Sequence, residues 1–144
     1  RVTVVERTNA RHLVPGQLDY APDLIVCDVS FISIAKVLPA VLSLAAARHD
    51  VLAMVKPQFE VGRARVGSGG VVRDPALRRE AILDVAKQLK TASDVSVMGA
   101  ASSGLPGPKG NKETFLWLAE AGRADALTDA RLAELVLTIE PDAA

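Results

Sequence analysis

The chain has 144 residues, 49% of them apolar and 24% charged, and its 17 basic and 17 acidic side chains cancel to a formal net charge of zero. That length supports one domain with its own core, the composition excludes a disordered chain, and the zero balance leaves only local clustering to argue for a polyanionic partner. The longest apolar stretch, "VLPAVLSLAAA", is shorter than the about 20 residues a membrane-spanning helix needs and carries a proline, and no signal-peptide pattern opens the chain.

In chain order, "VTVV" (2–5) is a short β-branched run that reads as a strand, followed by the polar cluster "ERTNAR" (6–11). "DLIVCDV" (23–29) reads as a buried strand, and its single cysteine, Cys27, is expected to be a structural thiol of a protein in the reducing cytoplasm. Apolar residues at helical spacing from Ser33 to about Arg48 predict a helix that Ser30 or Ser33 would cap, with Pro39 counting against an unbroken one. "VLAMVK" (51–56) is a second buried strand, stopped by Pro57. Residues 60–74, "EVGRARVGSGGVVRD", form a glycine- and arginine-rich loop, and Asp74-Pro75 opens a helix with Leu77, Ala81, Ile82, Val85, Ala86 and Leu89 as its inner stripe. "DVSVMGA" (94–100) is a strand, "SSGLPGPKGN" (102–111) a long turn, and "ETFLWLAE" (113–120) is read as a closing strand rather than a short helix. A terminal helix is expected over residues 125–138, ahead of a frayed "EPDAA".

Strands separated by helical crossovers make an α/β fold with a mostly parallel, doubly wound sheet, and the last two strands, joined by a loop alone, form an antiparallel hairpin at its edge. Such sheets place their sites at the carboxyl ends of the strands, where Asp28, Lys56 and Glu113 are the charged residues. No Gly-x-Gly turn between a strand and an opening helix is present.

The segments "ERTNAR", "DLIVCDVSFIS", "VKPQFEVGR", "GGVVRDP" and "GPKGNKETFLWL" resemble, in order and spacing, the hemolysin-A/TlyA family of ribosomal RNA 2′-O-methyltransferases, with its FtsJ-like, Rossmann-like, S-adenosylmethionine-dependent fold. The resemblance implies a Lys-Asp-Lys-Glu tetrad around the target ribose, in which Asp28, Lys56 and Glu113 match the last three members. The tetrad's first lysine, the cofactor's glycine-rich turn and an S4-like RNA-binding module have no counterpart here. The chain therefore resembles the carboxyl-terminal part of a family member, without the first two strands of the methyltransferase domain. In the family's strand order, 3-2-1-4-5-7-6, those two would separate "VTVV" from "DLIVCD". Their absence is expected to leave residues 1–20 poorly packed and strand four an exposed apolar edge, with the chain inactive by itself.

Each site residue has a plain structural alternative. Lys56 would accept or share the proton of the attacking 2′-hydroxyl, or merely snorkel from a strand end to water. Asp28 would orient Lys56 and face the cofactor or ribose, or cap the next helix. Glu113 would be the second carboxylate, or a solvated acid at the strand edge. Phe31 could pack on the adenine face of the cofactor or in the core; Glu6 and Asn9, after the strand on the adenine and ribose side, are further cofactor candidates. Arg63, Arg65 and Arg73 among glycines, with Lys109 and Lys112, are candidates for RNA phosphates. Trp117, between two leucines, is expected in the core, and His12 and His49 have no partners at metal-ligand spacing. By resemblance the cofactor is S-adenosylmethionine and the partner ribosomal RNA, at a cytidine in ribosomal subunits. A membrane-active hemolysin and a non-catalytic RNA-binding fragment are the alternatives.

Overall fold

The two continuous apolar runs form neighbouring parallel strands, β1 (Leu24–Cys27) and β2 (Asp50–Val55), in the computed structural model, which describes residues 2–141. The closing hairpin consists of β3 (Ser96–Pro106) and β4 (Lys112–Ala119), and β4 inserts antiparallel beside β2. The sheet order β1-β2-β4-β3 is the 4-5-7-6 portion of the expected order, giving a mixed, open four-stranded sheet.

Strand alternation separates two faces. Ile25, Cys27, Val51, Ala53, Val55, Leu116 and Leu118 point into the core, against Ile82, Val85, Ala86 and Leu89 of α3 (Pro75–Ser93) and Leu132 and Val136 of α4 (Asp129–Ile139). Complete burial of Leu89 contributes about 1.5–3 kcal/mol relative to leaving it in water. Asp74 caps α3 by accepting from the Ala76 N–H at 2.8 Å, and Thr128 caps α4 through Arg131 N–H at 3.2 Å. The opposite face carries Leu24, Val26, Leu52 and Trp117, all exposed, with β1 as the sheet's edge.

Several expected elements differ. Val2–Val5 form no strand and are exposed at Val2, Val4 and Val5, since no neighbouring strand satisfies their backbone groups. The helix expected over 33–48 is a single 3-10 turn, Ile34–Lys36, followed by the five-residue α1 (Leu38–Leu42). Pro39, lacking an N–H, is tolerated only in that short helix's first turn. Pro57 does more than end β2: it starts the one-turn helix α2 (Pro57–Glu60). β3 runs on through part of the expected turn to Pro106, and the terminal helix begins at Asp129 rather than 125. Trp117 is 40% exposed rather than core, because its ring lies on the uncovered face and its Nε1–H donates to Asp50 Oδ1 at 2.8 Å. Glu140 is not frayed, being 2% exposed and paired with Arg78 of α3 at 2.8 Å; Asp142–Ala144 lie outside the described residues.

Candidate active site

Three strand ends deliver three charged residues to one end of the sheet. β1 stops at Cys27 and β2 at Val55, so Asp28 and Lys56 each follow directly. The last pair of the β2–β4 ladder is Val55 with Thr114, which makes Lys56 and Glu113 the next positions on the two antiparallel strands. Period-two alternation puts all three in phase with Val26, Met54 and Phe115, on the face away from α3.

Lys56 Nζ lies 2.5 Å from Asp28 Oδ1 and 3.4 Å from Ser30 Oγ. The lysine side chain is 12% exposed and the carboxylate 58%, so the ammonium is sheltered while the acid still faces solvent. Asp28 is thus engaged with Lys56, and the turn after it is capped otherwise: the Ile34 N–H donates to Glu60 Oε1 at 2.9 Å. That bond ties "VKPQFE" to "DVSFIS", and burial pushes the Glu60 carboxyl above its ordinary range.

Glu113 is buried, 8% exposed, and therefore not a solvated edge acid. Its carboxylate packs on the backbone of Gly107, where an added Cβ would meet Oε1 at 2.7 Å. Gly107 in turn belongs to the tight turn closing the hairpin, with its N–H donating to Asn111 O at 2.8 Å. Asn111, 2% exposed, accepts from Val72 N–H at 2.9 Å and donates to Gly70 O at 2.8 Å, stapling the glycine loop to the hairpin that presents Glu113.

Phe31 is 92% exposed rather than core, and its backbone is left-handed at φ 66°, which costs a non-glycine residue about 1–3 kcal/mol. Its ring sits 5.2 Å from that of Phe59 at 49°. Cys27 is buried, and burial raises its thiol further from the thiolate, as a structural cysteine requires.

The remaining candidates divide. Arg73, Lys109 and Lys112 line one surface. Arg65 is engaged elsewhere, donating to Val61 O at 2.8 Å and to Glu80 at 2.5 Å, and Arg63 is exposed in the short turn before it. Glu6 and Asn9 are exposed, and Asn9 Oδ1 caps the short turn Ala10–His12 through Arg11 N–H at 3.1 Å; no hydrogen bond or ion pair joins either to Asp28 or Lys56 among the described residues. Sequence reasoning missed Glu60, Gly107 and Asn111. A glycine and an asparagine bracketing a "PKG" turn signal the hairpin, but nothing local marks their long-range partners.

A family profile of FtsJ-like methyltransferases matches residues 1–120. The chain is 52% identical over 118 residues to the 16S/23S rRNA (cytidine-2′-O)-methyltransferase TlyA of Mycobacterium tuberculosis, a match over 82% of this chain and 44% of that protein. It is 35% identical over 140 residues to the putative rRNA methyltransferase YqxC of Bacillus subtilis, covering 94% of this chain and 50% of that one. Among solved structures, a putative hemolysin from Lactococcus lactis superposes with a TM-score of 0.83 at 33% identity, over 93% of this chain and 65% of that one. The chain thus spans about half the length of the curated relatives it matches. With its sheet order and a match over most of its length in agreement, the chain belongs to the FtsJ-like methyltransferase family.

Proposed function

We propose that this chain carries the catalytic face of an S-adenosylmethionine-dependent ribose 2′-O-methyltransferase acting on ribosomal RNA, at a cytidine as the name of its Mycobacterium relative states. The observation that carries the reading is the Asp28–Lys56 pair, with Glu113 at the next position of the adjoining strand, at the carboxyl end of the parallel strands.

The residues present suit the cofactor. The exposed Asp28 carboxylate offers a partner for its positive charge, and the open ring of Phe31 a face for adenine. Glu6 has an exposed carboxylate for a hydroxyl, with no ion-pair partner among the described residues, whereas Asn9 must give up its capping bond to contribute. When bound, S-adenosylmethionine supplies an electrophilic methyl group. The chain's own residues deal with the other reactant: a ribose hydroxyl is a weak nucleophile, and Lys56 Nζ accepts or shares its proton as the oxygen attacks. Asp28 fixes the lysine in place, and Glu113, sheltered behind Gly107, completes the polar rim that orients the ribose.

The tetrad's first lysine has no match among these 144 residues, so the chain alone is expected to transfer no methyl group. The test is a chimera in which this chain replaces the matched 118 residues of the Mycobacterium relative, assayed with tritium-labelled S-adenosylmethionine on ribosomal RNA. Lys56→Ala should lower transfer by about 10²–10⁴-fold. A Lys56→Ala chimera as active as its parent would overturn the reading. No helix of the described residues is long and apolar enough to cross a membrane.

A further inference from the structure

One concave surface takes no part in that chemistry. Between the glycine loop and the tip of the β3–β4 hairpin lies an open pocket of about 410 Å³, lined by Val72, Arg73, Arg78, Lys109 and Lys112 among others, with no acidic residue in its wall. A chain of zero net charge has gathered four cations around one hollow.

The hollow is built rather than incidental. Its two walls are held together by the buried Asn111 bonds to Val72 and Gly70. Glycine lets the cations close over the backbone: Lys109 Nζ is 3.7 Å from where a Cβ on Gly70 would lie, and Arg73 Nη1 is 3.3 Å from that of Gly67. Arg78, 8% exposed, is anchored by the Val72 carbonyl at 3.0 Å, the Arg73 carbonyl at 2.6 Å and Glu140 at 2.8 Å. Its charge is therefore fixed behind the pocket and largely answered from within. The outer cations are not: neither Lys109 nor Lys112 has an ion-pair partner among the described residues, and Arg73 donates only weakly to the Ser68 carbonyl, at 3.3 Å. Unpaired cations on a glycine-lined wall match a phosphate group, and the hairpin turn that carries Lys109 also carries Gly107, which packs on the Glu113 carboxylate and accepts from the Gly110 N–H at 2.7 Å.

We propose that this pocket seats a single backbone phosphate of the substrate RNA strand, next to the nucleotide whose ribose is methylated. The proposal rests on the RNA-methyltransferase reading above and narrows it: the phosphate contacts concentrate on Arg73, Lys109 and Lys112, and Arg65, already paired with Glu80, contributes none. The seat orients the strand without reading its sequence.

The test measures binding of a fluorescently labelled single-stranded oligoribonucleotide to the 144-residue chain over a range of potassium chloride concentrations. Loss of one phosphate contact on a single strand makes the slope of log affinity against log salt shallower by about 0.7. The double variant Lys109→Gln/Lys112→Gln should change the slope by that one step, with thermal stability unchanged because both lysines are exposed and unpaired. Arg131→Gln, on the exposed face of α4, should leave the slope alone. An unchanged slope in the double variant, with RNA still bound, overturns the seat and leaves the methyltransferase reading standing. A change of about 1.4 would mean two separate phosphates and overturns the single seat. Absence of RNA binding by the unsubstituted chain also overturns it, as does displacement of the RNA by equimolar inorganic phosphate at constant ionic strength. The chimera assay decides the methyltransferase reading separately: a slope change without methyl transfer would keep the seat and remove that reading.

Discussion

β2 ends in a charged cluster at each of its two termini, and the clusters are built on opposite plans. At its start, Arg123 binds both oxygens of Glu120 at 2.7 Å, the His49 carbonyl at 3.1 Å and Asp50 Oδ1 at 3.3 Å. Trp117 Nε1 donates to the same Asp50 oxygen, and Glu120 also accepts from the His49 N–H at 3.0 Å. At its end, Lys56 has one ion pair, with a half-exposed Asp28, and Glu113 is buried without a side-chain hydrogen-bond partner among the described residues. In the first cluster the Arg123, Glu120 and Asp50 side chains bond one another and join the ends of β2 and β4 to the loop after β4. In the second, Asp28 stays largely exposed and Glu113 keeps its carboxylate without a partner among the described residues, which is the capacity the proposed ribose would use. Counting charges would not separate the two; the number of bonds that each charged side chain makes does.

The glutamates of the two regions titrate in opposite senses, which offers a direct handle. The Arg123 guanidinium holds Glu120 well below the ordinary carboxylate range, whereas burial pushes Glu60, beside the open end, above it.

The largest effect expected at the open end short of removing a catalytic group comes from Gly107→Ala. The new methyl would stand 2.7 Å from Glu113 Oε1, so the carboxylate must move, and displacement of about 1 Å costs on the order of 10²-fold in rate. Methyl transfer by the chimera checks this, and parental activity would mean that Glu113 has no positional role. Asn111→Ala should cost about 1–3 kcal/mol, because it leaves the Val72 N–H and Gly70 carbonyl unmet, measured from urea unfolding midpoints. A negligible loss would show that the glycine loop is not stapled as described.

The smallest effects are in pH dependence. Glu60 has a folded pKa above its unfolded value near 4.5, so its contribution is fully present below that value and is lost as pH rises through the folded pKa. Glu120 is the reverse: its contribution is present above about 4.5 and is lost as pH falls towards its depressed folded pKa. Relative to the parent, Glu60→Gln should gain stability as pH rises, while Glu120→Gln should lose most at neutral pH and converge with the parent in acid. Parallel stability curves for the two variants would erase the distinction between the regions.

Much of the frame was legible in the sequence because it rests on local pattern. "DLIVCD" and "VLAMVK" are uninterrupted apolar runs, and Asp74-Pro75 followed by a clean stripe marks α3 at its first residue. Helical spacing misled over 33–48, where Glu60 rather than a serine side chain meets the first N–H and Pro39 limits the helix to five residues. "VTVV" has strand propensity and nothing to pair with, and propensity alone makes no strand. The strand-end positions of Asp28, Lys56 and Glu113 followed from topology. What could not be read was burial across distant segments: Glu113 under Gly107, Arg78 against Glu140 at a separation of 62 residues, and the exposure of Phe31, which depends on a single left-handed backbone angle.

The contrast between the two ends of β2 is tested most directly by Lys56→Met and Arg123→Met in the chimera, each assayed for thermal midpoint and for methyl transfer per folded molecule. The expected result is a division of effects: Lys56→Met abolishes transfer with little change in midpoint, and Arg123→Met lowers the midpoint by several degrees while the folded fraction keeps its activity. If Lys56→Met retained transfer, or if both variants lost stability and activity together, the open end of the sheet would not be the catalytic one.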